Sequence, residues 1–287
     1  MKKLIGHEFV FNKLIGLYKN NNLPNKILLS GKKGIGKSLL ANQLVNYIYS
    51  KNDSNLFIEN NSHPNIFKIY KEKNKKFIEI SKIREMIQFQ NRSSFNNKIR
   101  SIIIDDLEYL TINSTNALLK SVEEPNENIL FILINNSADK ILDTLRSRCI
   151  EFKLLLKYNE IKKIVDIYFN DEIYLKIPKD FKIYYNSPSF LIGLIEFLNE
   201  NCVDFINLTI ENFIIDLIKN KYYLKNQFIF DHLNVFVELY FYKNINRSKK
   251  IPYKIKEYFY LKLSQIKKYN LDLEIFFLEF EEKLLSE

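Results

Sequence analysis

Lys26-Ile27-Leu28-Leu29-Ser30-Gly31-Lys32-Lys33-Gly34-Ile35-Gly36-Lys37-Ser38 decides the fold of this chain. The first five residues read as a short buried strand, and the next eight satisfy G-x-x-x-x-G-K-[ST] in full. The apolar-periodic run from Ser38 to Tyr49 then reads as a helix. A glycine loop between strand and helix is a phosphate cradle. Its glycines let the backbone turn and aim N–H groups at phosphate oxygens, and the helix N-terminus adds a positive dipole end. Lys37 is expected to reach the β- and γ-phosphates and Ser38 to ligate Mg²⁺. The chain has six glycines, and three of them fall in this loop, which argues against a chance turn. Gly31, Lys32, Lys33, Gly34, Ile35, Gly36, Lys37 and Ser38 are therefore the candidate site for ATP or ADP with Mg²⁺. The alternative is a retained but empty loop.

Outward from this loop the same alternation recurs. Glu8 to Lys19 has the pattern of an amphipathic helix, and 20–25 is a loop. Short strands are predicted at 65–70, 77–80, 100–105 and 129–134, and helices at 81–90, capped by Ser81, and 113–123. Strands alternating with helices imply a parallel α/β sheet covered on both faces. Beyond about residue 155 helical periodicity dominates. Asn159 to Phe169 and Ser187 to Leu198 read as helices around a loop, and longer helices rich in Phe, Tyr, Leu and Ile follow from Val203. The expected domains are 1–155, an α/β nucleotide-binding domain, 156–202, a helical lid, and 203–287, an all-helical C-terminal domain. The aromatic content of the last segment reads as hydrophobic core.

Ile102-Ile103-Ile104-Asp105-Asp106 is an apolar strand ending in carboxylates. Asp105 at its carboxyl end is a candidate second ligand for the Mg²⁺ held by Ser38. A turn or cap at the sheet edge is the plainer alternative.

Composition excludes several classes. No uninterrupted apolar stretch of 18 residues exists, so no transmembrane helix is expected. The first eight residues lack an apolar signal core, which predicts no signal peptide and a cytoplasmic protein. Cys149 and Cys202 form no CxxC and no disulfide framework, as suits a reducing compartment. The formal net charge is +9. That excess is compatible with a nucleic-acid partner, and equally with the Lys- and Asn-rich, Gly-poor drift of the whole composition.

Three further stretches resemble one family. Asn116-Ala117-Leu118-Leu119-Lys120-Ser121-Val122-Glu123-Glu124-Pro125 resembles the N-A-L-L-K-x-L-E-E-P segment of bacterial clamp-loader subunits of the AAA+ class. Leu145-Arg146-Ser147-Arg148-Cys149 resembles their S-R-C motif, and His63-Pro64-Asn65 the H-P-D of delta-prime subunits. The resemblance covers about the first 155 residues; beyond them only Asn270-Leu271-Asp272 is similar to a short motif near the family's C-terminus.

The resemblance implies an AAA+ domain, a lid and a C-terminal collar. It also implies a subunit of the DNA polymerase III clamp loader, which opens the sliding clamp and loads it on primed DNA. The implied partners are the other loader subunits, delta and gamma/tau, with no membrane. Arg148 would then act in trans, as an arginine finger on nucleotide held by a neighbour. A surface arginine ending a helix is the alternative.

Departures from the family pattern are informative. No cysteine lies in 50–62, where many members carry a zinc insert, so no zinc is expected. His63 alone reads as a loop histidine. Asp106 stands where hydrolysing members have glutamate, one methylene shorter for polarising water. Asn186-Ser187-Pro188-Ser189-Phe190, at the expected lid-helix start, has no arginine. These features favour a delta-prime-like stator with weak or absent ATPase activity of its own. A self-sufficient gamma/tau-like ATPase, or another P-loop ATPase acting on DNA, is the competing reading. A nucleotide-binding repair accessory is a third, with no separate motif behind it.

Overall fold

The computed structural model describes residues 4–50, 63–72, 75–92, 99–123, 128–136, 143–183, 187–203, 208–244, 251–269 and 271–285. It forms two compact units, Met1–Ile164 and Val165–Glu287.

The first unit contains, in order, α1 (Glu8–Lys19), β1 (Lys26–Ser30), α2 (Lys37–Ser50), β2 (Ile66–Ile69), α3 (Ile80–Asn91), β3 (Arg100–Ile104), α4 (Ile112–Glu123), β4 (Ile129–Asn135), the single turn α5 (Asp143–Arg146) and β5 (Ile150–Lys153). The sheet order is β2-β3-β4-β1-β5, and every neighbouring pair is parallel. All residues of β3 and β4 are buried, as the Ile/Leu/Phe-rich strands of a two-sided parallel sheet must be, and Arg100, Ser101 and Asn135 at their ends are buried with them. Leu118 and Val122 of α4, with Ile83 and Met86 of α3, close one face over Ile102, Ile104, Phe131 and Leu133.

The structure departs from the local sequence pattern at several points. Phe77 to Ile80 is not a strand: Ile78 makes an isolated bridge to Leu110, and α3 begins at Ile80. Alternation alone suggests a strand, but among the described residues only the Leu110 bridge pairs with it. Ser81 does not cap α3; Glu79 precedes the helix, and the Ser81 hydroxyl donates to its carboxylate at 3.4 Å. The strand β5 was not anticipated. Its four residues alternate between apolar and charged and are only partly covered, yet register with β1 extends the sheet.

The second unit is helical throughout its described residues. The helix α6 (Tyr158–Phe169) contains the boundary between the units. It is followed by α7 (Ile173–Lys176), α8 (Lys179–Ile183), α9 (Pro188–Glu200), α10 (Ile210–Lys219), α11 (Tyr222–Lys225), α12 (Gln227–Asn244), α13 (Tyr253–Tyr269) and α14 (Leu273–Phe280), with a π-helical turn at Glu281–Leu285. The segment read as a loop between two lid helices thus carries α7 and α8. Tyr174 and Phe181 explain why, since both are buried and need a packed turn to hold them.

Ser187 caps α9, its hydroxyl accepting from the Phe190 N–H at 3.4 Å. The aromatic side chains form core: Phe213 meets Phe181, Phe197 and Phe236 edge-on or tilted, and Phe259, Phe276 and Phe280 cluster likewise. Asp180 of α8 pairs with Lys243 of α12 and accepts the Ile210 N–H of α10 at 3.0 Å.

Candidate functional site

The glycine loop leaves the carboxyl end of β1, and its backbone requires glycine where the motif has it. Gly34 and Gly36 have φ of 80° and 97°. At Gly31 a Cβ would stand 2.4 Å from the Leu154 carbonyl oxygen, just past β5. The loop is braced from the chain start as well. The buried His7, immediately before α1, places Nε2 2.8 Å from the Ile35 carbonyl oxygen. His7 was not singled out from the sequence, because its partner lies 28 residues away.

Lys37 is 3% exposed. Its ammonium donates to the Gly31 and Lys32 carbonyls at 2.7 and 2.5 Å. Burial lowers its pKa to about 8, and the fields of Asp105, Glu108 and Asp106 oppose that fall. These three carboxylates come from the carboxyl end of β3 and the turn after it, so the sheet has brought the acidic strand end to the loop lysine across β4. A buried cation at the rim of a glycine cradle, in the field of nearby carboxylates, fits a nucleotide phosphate with Mg²⁺. Ser38, at the start of α2, and Asp105 are the side chains that would hold the metal.

Asn136, directly after β4, organises the acids and was not found from the sequence. Its side-chain amide donates to Asp106 Oδ1 at 3.0 Å, and its backbone N–H donates to Glu108 Oε2 at 3.2 Å. Asp106 adopts a left-handed backbone, φ 59°, that aspartate tolerates better than most residues. Burial, reinforced by Asp105, raises the Asp106 pKa.

Arg148 stands at the other end of β1. The β1–β5 register pairs Ile27 with Ile150, so Arg148, two residues before Ile150, lies beside the amino end of β1. The surroundings of Lys26 agree. Its ammonium donates to the Glu123 carbonyl at 3.5 Å, and its charge acts on the Cys149 thiol. Five strand residues separate that end from Gly31, about 17 Å at 3.3 Å per residue. The Arg148 guanidinium donates to the Thr144 carbonyl at 2.7 Å and pairs with Glu123 at 2.6 Å, and both side chains are substantially exposed.

Cys149 beside it is a packing residue. Burial pushes its thiol up to about 11, so it stays protonated at neutral pH. His63 is buried against the Tyr49 ring, centroids 4.5 Å apart, and its Nδ1 accepts the Asn65 N–H at 3.1 Å. Among the described residues no cluster of three metal-ligating side chains occurs. Glu124, Pro125, the 51–62 stretch, Asn186 and Asn270 lie outside the described residues.

Residues 6–157 match the family described as DNA polymerase III, delta subunit. The gamma subunit of DNA polymerase III from Buchnera aphidicola (subsp. Schizaphis graminum) is 31% identical over 200 residues, covering 63% of this chain and 53% of that protein. The delta-prime subunit from Pseudomonas aeruginosa is 26% identical over 134 residues, covering 43% of this chain and 41% of that one. The chain therefore spans about half the length of the curated relatives it matches. A crystal structure of a DNA polymerase III gamma-subunit-related protein from Thermotoga maritima superposes with a TM-score of 0.54 at 17% identity, covering 93% of this chain and 96% of that one, which bears on the fold alone. Parallel sheet order, glycine loop, acidic strand end and a match over more than half the chain agree: the protein belongs to the bacterial clamp-loader AAA+ family described as DNA polymerase III, delta subunit.

Proposed function

We propose that the chain serves as a delta-prime-type subunit of the DNA polymerase III clamp loader. In this reading it assembles in the cytoplasm with delta and gamma/tau subunits and supports ATP-dependent loading of the sliding clamp on primed DNA. Residues 156–202 act as its lid and 203–287 as its collar. Its glycine loop binds ATP or ADP with Mg²⁺ through residues 31–38, with Asp105 completing the metal ligands, and no zinc is involved.

The observation that carries the proposal is the separation of the two cations. Lys37 lies at the carboxyl end of β1 and Arg148 at the amino end, about 17 Å of strand apart. An arginine side chain cannot span that distance to its own loop. A functional role for Arg148 in phosphoryl transfer is therefore a role toward a neighbour's nucleotide, where a cation against a γ-phosphate stabilises transition-state charge. The short Asp106, bonded to Asn136, suits slow turnover at the chain's own loop.

A second reading, a gamma-like motor, is favoured by one observation: the 31%-identical Buchnera relative carries the gamma name. ATP turnover by the purified chain, alone and in a reconstituted loader, separates the two. Negligible turnover alone, with loader activity that depends on Arg148, supports the stator. Vigorous turnover alone, abolished by Lys37→Ala, establishes the motor instead.

A further inference from the structure

Glu123 lies in the last described turn of α4, two residues before Pro125, a place where helix electrostatics disfavour a carboxylate. The C-terminal end of a helix carries partial negative charge from its unpaired carbonyls, and a carboxylate there adds to it. A local rule broken this way points to a compensating contact elsewhere. Here that contact is Arg148, whose Nη2 lies 2.6 Å from Glu123 Oε1. Its Nη1 donates to the Thr144 carbonyl at 2.7 Å. Lys26 adds a second cation, donating to the Glu123 backbone carbonyl at 3.5 Å.

Nη1 also lies 3.5 Å from the Ser147 hydroxyl oxygen, so contacts through two different nitrogens constrain the plane of the guanidinium. A guanidinium has five N–H donors in a rigid fork, so contacts that hold one edge also set the direction of the rest of the fork. The chain before Arg148 is a single helical turn, Asp143–Arg146. So short an element orients a long side chain poorly by itself, whereas the end of the twelve-residue α4, packed by Leu118 and Val122, is a firm anchor.

We propose that Glu123 is the positioning residue for Arg148, holding the guanidinium in the orientation in which it meets a phosphate of a neighbouring subunit's nucleotide. This rests on the trans-acting reading above and adds a second residue to it. The carboxylate touches no nucleotide; it acts only through the arginine.

A double-mutant cycle in the reconstituted loader tests this. Glu123→Ala should lower DNA-stimulated ATP turnover about two- to fivefold, the worth of one exposed, well-aligned pair. The fall should appear in kcat with KM for ATP unchanged, because orientation matters in the transition state. Glu123→Gln, which keeps an acceptor oxygen, should lie between Ala and wild type. Glu123→Lys, which repels the guanidinium, should fall below Ala. In an Arg148→Ala background each Glu123 variant should change nothing further.

Wild-type turnover by both Glu123→Ala and Glu123→Lys, with Arg148→Ala still impaired, would overturn this inference and leave the trans reading standing. An effect of Glu123 that persists without Arg148, or loss of assembly in Glu123→Gln, would make it a structural residue and also overturn it. Full activity of Arg148→Ala would remove the trans reading and this inference with it.

Discussion

Lys37 and Arg148 stand at opposite ends of β1 and are held in different ways. Lys37 is buried, its ammonium turned onto the carbonyls of its own loop, with burial lowering its pKa to about 8. Arg148 is substantially exposed and is oriented by Glu123 and the Thr144 carbonyl rather than enclosed. Enclosure suits a cation whose ligand enters the chain's own cradle, because low local dielectric strengthens its bond to phosphate. Exposure with fixed orientation suits a cation whose ligand is brought by another molecule. The two ends of one strand therefore carry an inward and an outward version of the same charge.

The comparison breaks most easily at Lys37. Lys37→Ala should weaken ATP binding at least about thirtyfold, as expected when a buried, hydrogen-bonded charge partner is removed. Calorimetric titration checks this, and equal binding by mutant and wild type would end the inward reading. Gly31→Ala should be the next largest effect. Its Cβ would meet the Leu154 backbone oxygen at 2.4 Å, so the loop or the chain after β5 must move. A loss of roughly 2–4 kcal/mol in denaturant unfolding is expected, and a wild-type midpoint would show that the loop relaxes freely.

A pH titration sharpens the contrast. The Lys37 pKa falls to about 8 in the folded state, against about 10.4 unfolded, so between these values the unfolded chain binds more protons. The burial penalty is full below pH 8 and is relieved as pH rises toward 10.4. Wild type should therefore gain on the order of 2–3 kcal/mol relative to Lys37→Met across that window. Parallel stability curves for the two proteins would contradict the buried-cation description.

Arg148→Ala should behave in the opposite manner. It should change stability by less than about 0.5 kcal/mol, as substitutions of exposed pairs do. It should nonetheless slow DNA-stimulated turnover of the assembled loader about tenfold or more, since a finger is worth much more than that where it acts alone. Arg148→Lys should restore little, because an ammonium lacks the planar fork. Unchanged turnover in the reconstituted loader would leave Arg148 as a surface residue.

Legibility in the sequence followed how local each feature is. β1, the glycine loop and α2 were readable because every residue of the motif is contiguous, and β3 and β4 because both their faces are buried. β5 was not, since Ile150-Glu151-Phe152-Lys153 has no strong signal until β1 pairs with it. Phe77 to Ile80 shows the converse, an alternating run with only one bridge to make it a strand. His7, Asn136 and the Glu123–Arg148 pair were invisible as contacts, because their partners are 25 or more residues away and nothing in composition joins them.

The sequence by itself determined that a phosphate loop is present, which residues build it, and that an α/β region precedes a helical one. Those follow from short-range chemistry: glycine's backbone freedom, apolar periodicity and a lysine at fixed spacing. The tertiary structure decided which charges meet. Sheet order β2-β3-β4-β1-β5 places the acids of β3 near Lys37 across β4, and parallel pairing of β5 with β1 sets Arg148 at the far end of the strand from the loop. Strand order and register are long-range properties, fixed by how buried faces pack, and no local pattern encodes them.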